Sequence, residues 1–369
     1  MPLPLFTPLA IFDKVSLSLL GDDSRIYASS IYRIFTLLSG LQMSTLSLPI
    51  KGGHFERPPS VFRSSISRSP DAHFRPEKDR YVLYINLGCP WAHRTNIVHQ
   101  LKGLDAIIQR VLLDPQGGPE GWHYTGRFGT AAQDPVYGFQ TLKQLYLKAD
   151  PSYTGRITVP VLWDKKHETI VNNESSEIIR MFFTEFDDLL PQHLRESQHP
   201  ATGGRGFYPP SLRAEIDAMN DWVYPSINNG VYRAGFATTQ EAYEEAVYPL
   251  FDALDRVEAH LAQPGHSPYL FGEHITEADI RLYTTVARFD VGYYLLFKCN
   301  LKMIRHDYPN IHNWYLRLYW DSSDKTNGGA FRRTTDFKSM KLGYMQAKGS
   351  EIFPVGPSPD IPELPAEKI

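Results

Sequence analysis

Cysteine is nearly absent from this chain: 369 residues hold only Cys89 and Cys299. A disulfide-stapled secreted scaffold needs several pairs, so that class is excluded, and the usage points to a reducing compartment. The thirteen histidines are scattered, and no Cys/His cluster has zinc spacing, so no metal site is expected. No run of about eighteen apolar residues occurs, and with it goes any expectation of a membrane span. An excess of basic charge is missing too. Lys and Arg number 38 against 41 Asp and Glu, a net charge of −3, which gives no footprint for nucleic acid. What remains is an ordinary globular balance, 42% apolar and 21% charged, with length for two modest domains. Aromatics are plentiful, at 21 Tyr and 20 Phe, enough to line a cleft or fill a helical core.

The N-terminal stretch differs from the rest. Ile11 to Leu20 and Ile31 to Leu41 are apolar and partly amphipathic, with Arg25 and Arg33 between, as in a mitochondrial presequence. Asp13, Asp22 and Asp23 oppose that reading, because transit peptides avoid acids. Residues 1–50 are therefore expected to be an extension, either dispensable or targeting, with Met43 a plausible start of the essential chain. The expected location is the cytoplasm, with the mitochondrion as the alternative if the extension targets. Asn173-Glu174-Ser175 matches the glycosylation tripeptide, but a reducing compartment makes the match a coincidence.

Residues 51–80, rich in Arg, Ser and Pro and without period, read as an extended arm. Tyr81 to Asn86 reads as a strand, broken by Gly88. Pro90 then stands at a first helical position, opening a helix to about Leu101. A second strand at Ala106 to Leu112 completes a β-α-β unit. Val159 to Trp163 and Thr169 to Val171 read as a strand pair joined by the charged turn Asp164-Lys165-Lys166-His167. Glu174 to Phe186 is amphipathic, with Ile178, Ile179, Phe182 and Phe183 on one side. The expected boundaries are a first domain over 81–188, a linker over 189–210, an all-helical domain over 211–335 and a Pro-rich tail over 336–369. Within the helical part, Ser211 is a candidate cap, and Thr238 with Glu241 and Thr276 with Asp279 are candidate capping boxes. The second box opens a helix to about Phe297, and Pro309 opens another to Trp320. No internal repeat is visible.

Cys89 carries the sharpest chemical signal. It stands at a strand-to-helix junction, where unpaired amides and the macrodipole favour a thiolate, and such placement can lower a cysteine pKa to roughly 3.5–7.5. His93 and Arg94 follow within one turn and add positive potential. Ala92 occupies the place of a second redox cysteine, so a mixed disulfide at Cys89 must be resolved by an outside thiol. Cys299 has no activating neighbour and reads as a packed, inert thiol. Val159-Pro160 opens a strand with a proline, which in a thioredoxin architecture is cis and frees the preceding backbone to pair with a peptide-like ligand. Asn173-Glu174-Ser175-Ser176 opens a helix after a strand. Its amides and hydroxyls can hold a carboxylate, and Glu174 can accept an ammonium, the two groups that the γ-glutamyl end of glutathione presents.

The order Cys, Val-Pro, Glu-Ser, followed by helices only, resembles the glutathionyl-hydroquinone reductases, the omega-like Xi class of glutathione transferases. The resemblance spans roughly Phe55 to Pro357. It rests on Gly88-Cys89-Pro90-Trp91-Ala92-His93-Arg94 and on the run from Gly155 to Asp164. Asn173-Glu174-Ser175, Asn228-Asn229-Gly230-Val231-Tyr232, Glu277-Ala278-Asp279-Ile280-Arg281, Phe297-Lys298-Cys299-Asn300-Leu301 and Phe353-Pro354-Val355-Gly356-Pro357 add to it. It implies an α/β thioredoxin-like N-terminal domain plus an all-α C-terminal domain, the glutathione transferase fold, in a homodimer. It also implies roles. Cys89 is the catalytic cysteine. Trp122 packs on glutathione, Arg156 contacts its glycyl end, Val159 pairs with its cysteinyl backbone, and Glu174 and Ser175 anchor its γ-glutamyl end. Tyr224, Arg288 and Tyr293 line the aromatic-substrate site, the two tyrosines serving also as candidate catalytic acids. Tyr232 and Tyr294 are near neighbours that compete for those assignments.

The expected reaction is reduction of S-glutathionyl-hydroquinones through a Cys89–glutathione mixed disulfide. Glutathione is co-substrate and no cofactor is bound; the expected partners are glutathione and aromatic glutathione conjugates. An omega-like dehydroascorbate reductase or general thioltransferase would use the same cysteine. A non-catalytic binding protein on a transferase-like fold is the more distant alternative, opposed by the intact Cys89.

Overall fold

Tyr81–Asn86 is buried along its whole length, as a strand covered on both faces requires. The computed structural model describes residues 49–196, 206–359 and 361–364. The expectations about the N-terminal extension lie outside those residues. The run above, β1 (Tyr81–Asn86), is central in a four-stranded sheet. Helix α1 (Pro90–Leu101) leads to β2 (Gln109–Leu113), which pairs parallel with β1 from Val82 opposite Gln109 to Asn86 opposite Leu113. Helix α2 (Leu142–Ala149) precedes β3 (Val161–Asp164), which lies antiparallel on the other edge of β1, and β4 (Thr169–Asn172) completes the order β2-β1-β3-β4. The ladder of β3 begins at Val161, two residues later than the sequence suggests, because Pro160 has no N–H to offer it. The Val159–Pro160 bond is cis. Helix α3 (Ser175–Thr184) then packs on α1.

The arm is not free chain. Ser64 N donates to Val171 O at 3.0 Å, Asn173 N donates to Phe62 O at 3.0 Å, and Asn172 Nδ2 donates to Ser64 O at 3.0 Å. Residues 62–64 thus cover the edge of β4, whose backbone groups would otherwise stand open. Asn173 is itself buried, with its side-chain oxygen taken by Phe62 N and its amide donating to Tyr146 and Thr158, which leaves no access for a glycosylating enzyme.

The second half is helical: α4 (Arg213–Val223), α5 (Gly230–Phe236), α6 (Gln240–Leu261), α7 (Glu277–Arg288), α8 (Pro309–Trp320) and α9 (Phe337–Ala347). The box of Thr276 and Asp279 opens α7 as expected. Asp279 accepts from Thr276 N and Thr276 Oγ1, both at 2.8 Å, and its other oxygen takes Leu270 N and Trp314 Nε1. Three readings are corrected. Leu212, not Ser211, precedes α4, and Thr239 rather than Thr238 caps α6, its hydroxyl accepting Ala242 N at 3.2 Å. The long helix expected to reach Phe297 ends at Arg288 in a π-helical turn, Phe289–Tyr293. The expected tail begins with α9, which Asp336 caps by accepting Ser339 N at 2.7 Å, and which buries Met340 and Tyr344 one turn apart. No helix among the described residues is long and apolar enough to cross a membrane.

All twelve residues of α1 are buried, although six of its last nine are polar or charged. The reason is its position between α3, α7 and the short helix Ala330–Thr334. Each polar side chain so trapped needs a partner. Arg110 Nη1 donates to Asn96 Oδ1 at 2.7 Å, the His99 ring meets Ile108 O at 2.8 Å, and Arg94 Nη2 donates to Asn228 Oδ1 at 2.8 Å. Burying α1 between the two halves sets its N-terminus, and with it Cys89, at the junction of sheet and helices.

Candidate active site

Cys89 is the residue before α1, with extended backbone (φ −80°, ψ 124°) and Pro90 at the first helical position. The turn that carries it is fixed from two sides. From the sheet, Asn86 Oδ1 accepts Gly88 N at 2.8 Å while its amide donates to Asp114 O at 2.6 Å. From the helical half, Arg288 reaches in from the end of α7. Its Nε donates to Gly88 O at 3.1 Å, Nη2 to Leu87 O at 3.1 Å, and Nη1 to Thr284 O and His93 Nδ1, both at 2.8 Å. Gly88 is required here, since a Cβ would come 2.8 Å from the backbone oxygen of Ser339.

The Cys89 thiol points at Val159 O, 3.7 Å away. Burial pushes its pKa up; the amides of Ala92 and Trp91 and the charges of Arg57 and Arg288 pull it down, and burial wins. This reverses the downward shift expected from the helix terminus. A macrodipole contributes roughly 0.3–1 kcal/mol near the surface, less than the cost of forming a thiolate out of water here. The resting group is therefore a thiol that carries its own proton. His93 adds no charge, because burial and then the Arg288 cation hold it well below the ordinary histidine value. With Nδ1 accepting from Arg288, its Nε2–H faces Thr334 Oγ1 at 3.1 Å. Arg94 lies beneath Trp91, and burial pushes it down to about 9, so it remains a cation at neutral pH.

At the start of α3, burial pushes the Glu174 carboxyl up. Hydrogen bonds from Ser176 N, Ser176 Oγ and Ser60 Oγ, with the charge of Arg94, outweigh that and keep it below the ordinary carboxylate value. Glu174 is an anion set to take a cation, beside the buried Ser175. Val159 is buried, and Trp122 and Arg156 are half-buried on loops, Trp122 packed against the core. Burial, with the charge of Arg57, lowers the Arg156 guanidinium.

Three phenols meet on the helical side. Tyr293 and Tyr344 hydroxyls are 2.6 Å apart, and Tyr232 is 3.3 Å from Tyr344. Burial raises all three well above the ordinary tyrosine value, so each keeps its proton. The Tyr232 ring lies 6.1 Å from Trp91, and the negative charge that Cys89 carries when ionised adds to its upward shift. Of the two tyrosines singled out from sequence, Tyr293 belongs to this network and Tyr224 does not. Tyr224 opens the π-helical turn Tyr224–Asn228, and its ring lies 5.8 Å from that of Trp91. Arg288 is not a substrate contact in this geometry. It is fully buried and spends its donors on the Cys89 turn. Sequence reasoning missed Tyr344, Arg57 and Ser60, and passed over Tyr232. The Asp336 cap and the Met340–Tyr344 spacing were signals for the first; the arm offered none.

A cysteine just before the first helix of such a sheet, next to a helical half, is the arrangement of cysteine-type glutathione transferases. Residues 88–184 match the family model of the glutathione S-transferase N-terminal domain, and residues 240–317 that of the C-terminal domain. The chain is 46% identical over 315 residues to glutathione S-transferase omega-like 2 of Schizosaccharomyces pombe, covering 84% of this chain and 96% of the relative. It is 43% identical over 322 residues to the glutathionyl-hydroquinone reductase YqjG of Escherichia coli, covering 85% and 92%. Among solved structures, the Xi glutathione S-transferase of Phanerochaete chrysosporium superposes with a TM-score of 0.76 at 48% identity, over 85% of this chain and 96% of that one. The glutathione-bound structure of YqjG gives 0.72 at 42% identity, over 82% and 94%. The chain belongs to the Xi class of glutathione transferases, the family of the glutathionyl-hydroquinone reductases.

Proposed function

We propose that the protein is a glutathione-dependent oxidoreductase that reduces S-glutathionyl-hydroquinones to hydroquinones. The observation that carries this reading is Cys89 at the head of α1, without a neighbouring second cysteine, together with the hydrogen-bonded phenols of Tyr232, Tyr293 and Tyr344. The Cys89 sulfur attacks the glutathione sulfur of the conjugate. An S–S bond forms, the aryl C–S bond breaks, and its electron pair stays on the ring carbon. That carbon must take a proton, and the phenol network supplies it while the thiol proton replenishes the network. The ring carbon is reduced and the two sulfurs are oxidised to a mixed disulfide. A second glutathione thiolate then attacks the mixed disulfide, releasing oxidised glutathione and Cys89. The electrons come from the thiols alone.

In this reading Glu174 and Ser175 take the γ-glutamyl end of glutathione, the Val159 backbone takes the cysteinyl moiety, and Trp122 and Arg156 take the rest. Trp91, Tyr224 and Tyr232 form an aromatic wall for the ring of the conjugate. A homodimer and a cytoplasmic location, with the mitochondrion as the alternative, complete the reading; mass in solution and cell fractionation test them. The chemical test is a single turnover with excess enzyme and a glutathionyl-hydroquinone. One hydroquinone released per glutathione retained on Cys89 is expected. Hydroquinone released with no adduct on Cys89 would refute the mechanism.

A further inference from the structure

Arg57 belongs to none of the motifs that mark the site, yet the arm carries it into the cleft. On one side of it Phe55 packs against Tyr232 at 6.2 Å and Phe236 at 5.5 Å. On the other, Ser60 Oγ donates to Glu174 Oε2 at 3.0 Å. The chain between them crosses from the phenols to the start of α3, and Arg57 lays its guanidinium 4.4 Å from the centre of the Trp91 ring, two residues from the thiol. Its charge acts on both Cys89 and Arg156.

Neither Arg57 nor Arg156 has a carboxylate partner among the described residues. Other arginines of the chain do: Arg63 with Glu177, Arg80 with Asp164, Arg180 with Glu277 and Arg305 with Asp290. Two guanidiniums within electrostatic reach of each other and without an anion repel each other and favour an anionic ligand. Glutathione offers two carboxylates. The one on its γ-glutamyl end travels with an ammonium, which suits the anionic Glu174. The glycyl carboxylate has no such companion and needs a cation.

We propose that Arg57 joins Arg156 in binding the glycyl carboxylate of glutathione, so that the arm is part of the binding site and not only a cover for the sheet edge. This rests on glutathione being the ligand of Cys89, as proposed above. The test uses no hydroquinone. It measures the rate of mixed-disulfide formation at Cys89, at subsaturating reagent, with glutathione disulfide and with the disulfide of glutathione glycyl monoethyl ester. In each reaction the Cys89 sulfur attacks the disulfide and expels one thiol. Arg57→Met is expected to lower the rate with glutathione disulfide about tenfold or more, as loss of a charged hydrogen bond does, and to leave the ester nearly unchanged. Arg57→Lys is expected to recover part of the loss, since it keeps the charge without the fork. A purely structural role, or an effect through the Cys89 thiol, would slow both reagents by the same factor, and that equality, like no loss at all, would overturn the assignment. Failure of the wild-type protein to take up glutathione from either reagent would instead overturn the parent reading.

Discussion

Arg288 was expected to face the substrate; its burial makes it a brace for the Cys89 turn, and the two roles separate cleanly by mutation. In Arg288→Met, Gly88 O, Leu87 O and His93 Nδ1 lose their donor, while Thr284 O keeps its backbone partner in the α7 ladder. Each such loss costs about 1–3 kcal/mol, and because they share one side chain they do not add in full. The expected total is about 3–5 kcal/mol, a Tm lowered by roughly 5–10 °C. The charge matters separately. Arg288 pulls the Cys89 pKa down against burial. Its removal leaves less thiolate at any given pH, so the rising limb of the pH profile for alkylation by iodoacetamide moves to higher pH. Arg288→Lys keeps the charge, but one nitrogen cannot span these acceptors, so it is expected to lose most of the stability while moving the profile less. The assay is thermal unfolding beside Cys89 alkylation from pH 6 to pH 10. A methionine variant with wild-type Tm and an unmoved alkylation profile, but a raised KM for the conjugate, would refute the brace and return Arg288 to the substrate.

Cys89→Ser is expected to abolish turnover, while Cys299→Ser keeps most of it, because Cys299 is fully buried and burial alone pushes its thiol far up; equal losses in a turnover assay would contradict this. Tyr344→Phe removes the hydroxyl that links Tyr232 and Tyr293 and is expected to slow hydroquinone release about a hundredfold. The same variant should take up glutathione from glutathione disulfide at the wild-type rate. Burial pushes the Glu196 carboxyl up to about 7 from 4.5, with Oε1 accepting Tyr208 N and Oε2 without a partner among the described residues. The folded protein thus keeps a proton that the unfolded chain releases. The group costs nothing below about pH 4.5 and destabilises increasingly towards pH 7. Glu196→Gln is expected to raise Tm at pH 8 and leave it unchanged at pH 4; an equal shift at both would contradict the assignment.

What could be read from sequence were features with local punctuation. Gly88 and Pro90 bracket Cys89, and Thr276 with Asp279 and Pro309 mark helix starts that the structure reproduces. The failures are of another kind. The upward shift of the Cys89 thiol depends on how much of the helical half closes over it, and no local pattern encodes that. Arg288 was assigned to the substrate by resemblance alone, yet here it fills its hydrogen bonds with loop carbonyls 200 residues away in sequence. The π-helical turn Tyr224–Asn228, which alters the faces that Tyr224 and Tyr232 present, could not be read from the sequence pattern. Helix α9 was hidden by the prolines that follow it, although Asp336 and the Met340–Tyr344 pair carried its signature. The arm had no period to read, because its order comes from the edge of β4 and from Glu174.

The central claim is that Cys89 serves hydroquinone conjugates above other acceptors of the same thiol. The most direct measurement compares kcat/KM, in one buffer, for a glutathionyl-hydroquinone, dehydroascorbate and a chloronitrobenzene conjugated to glutathione, with Cys89→Ser beside the wild type. The glutathionyl-hydroquinone is expected to have the highest value and to lose it in the variant. A higher value for dehydroascorbate or for conjugation, or a glutathionyl-hydroquinone activity that survives Cys89→Ser, would contradict the claim.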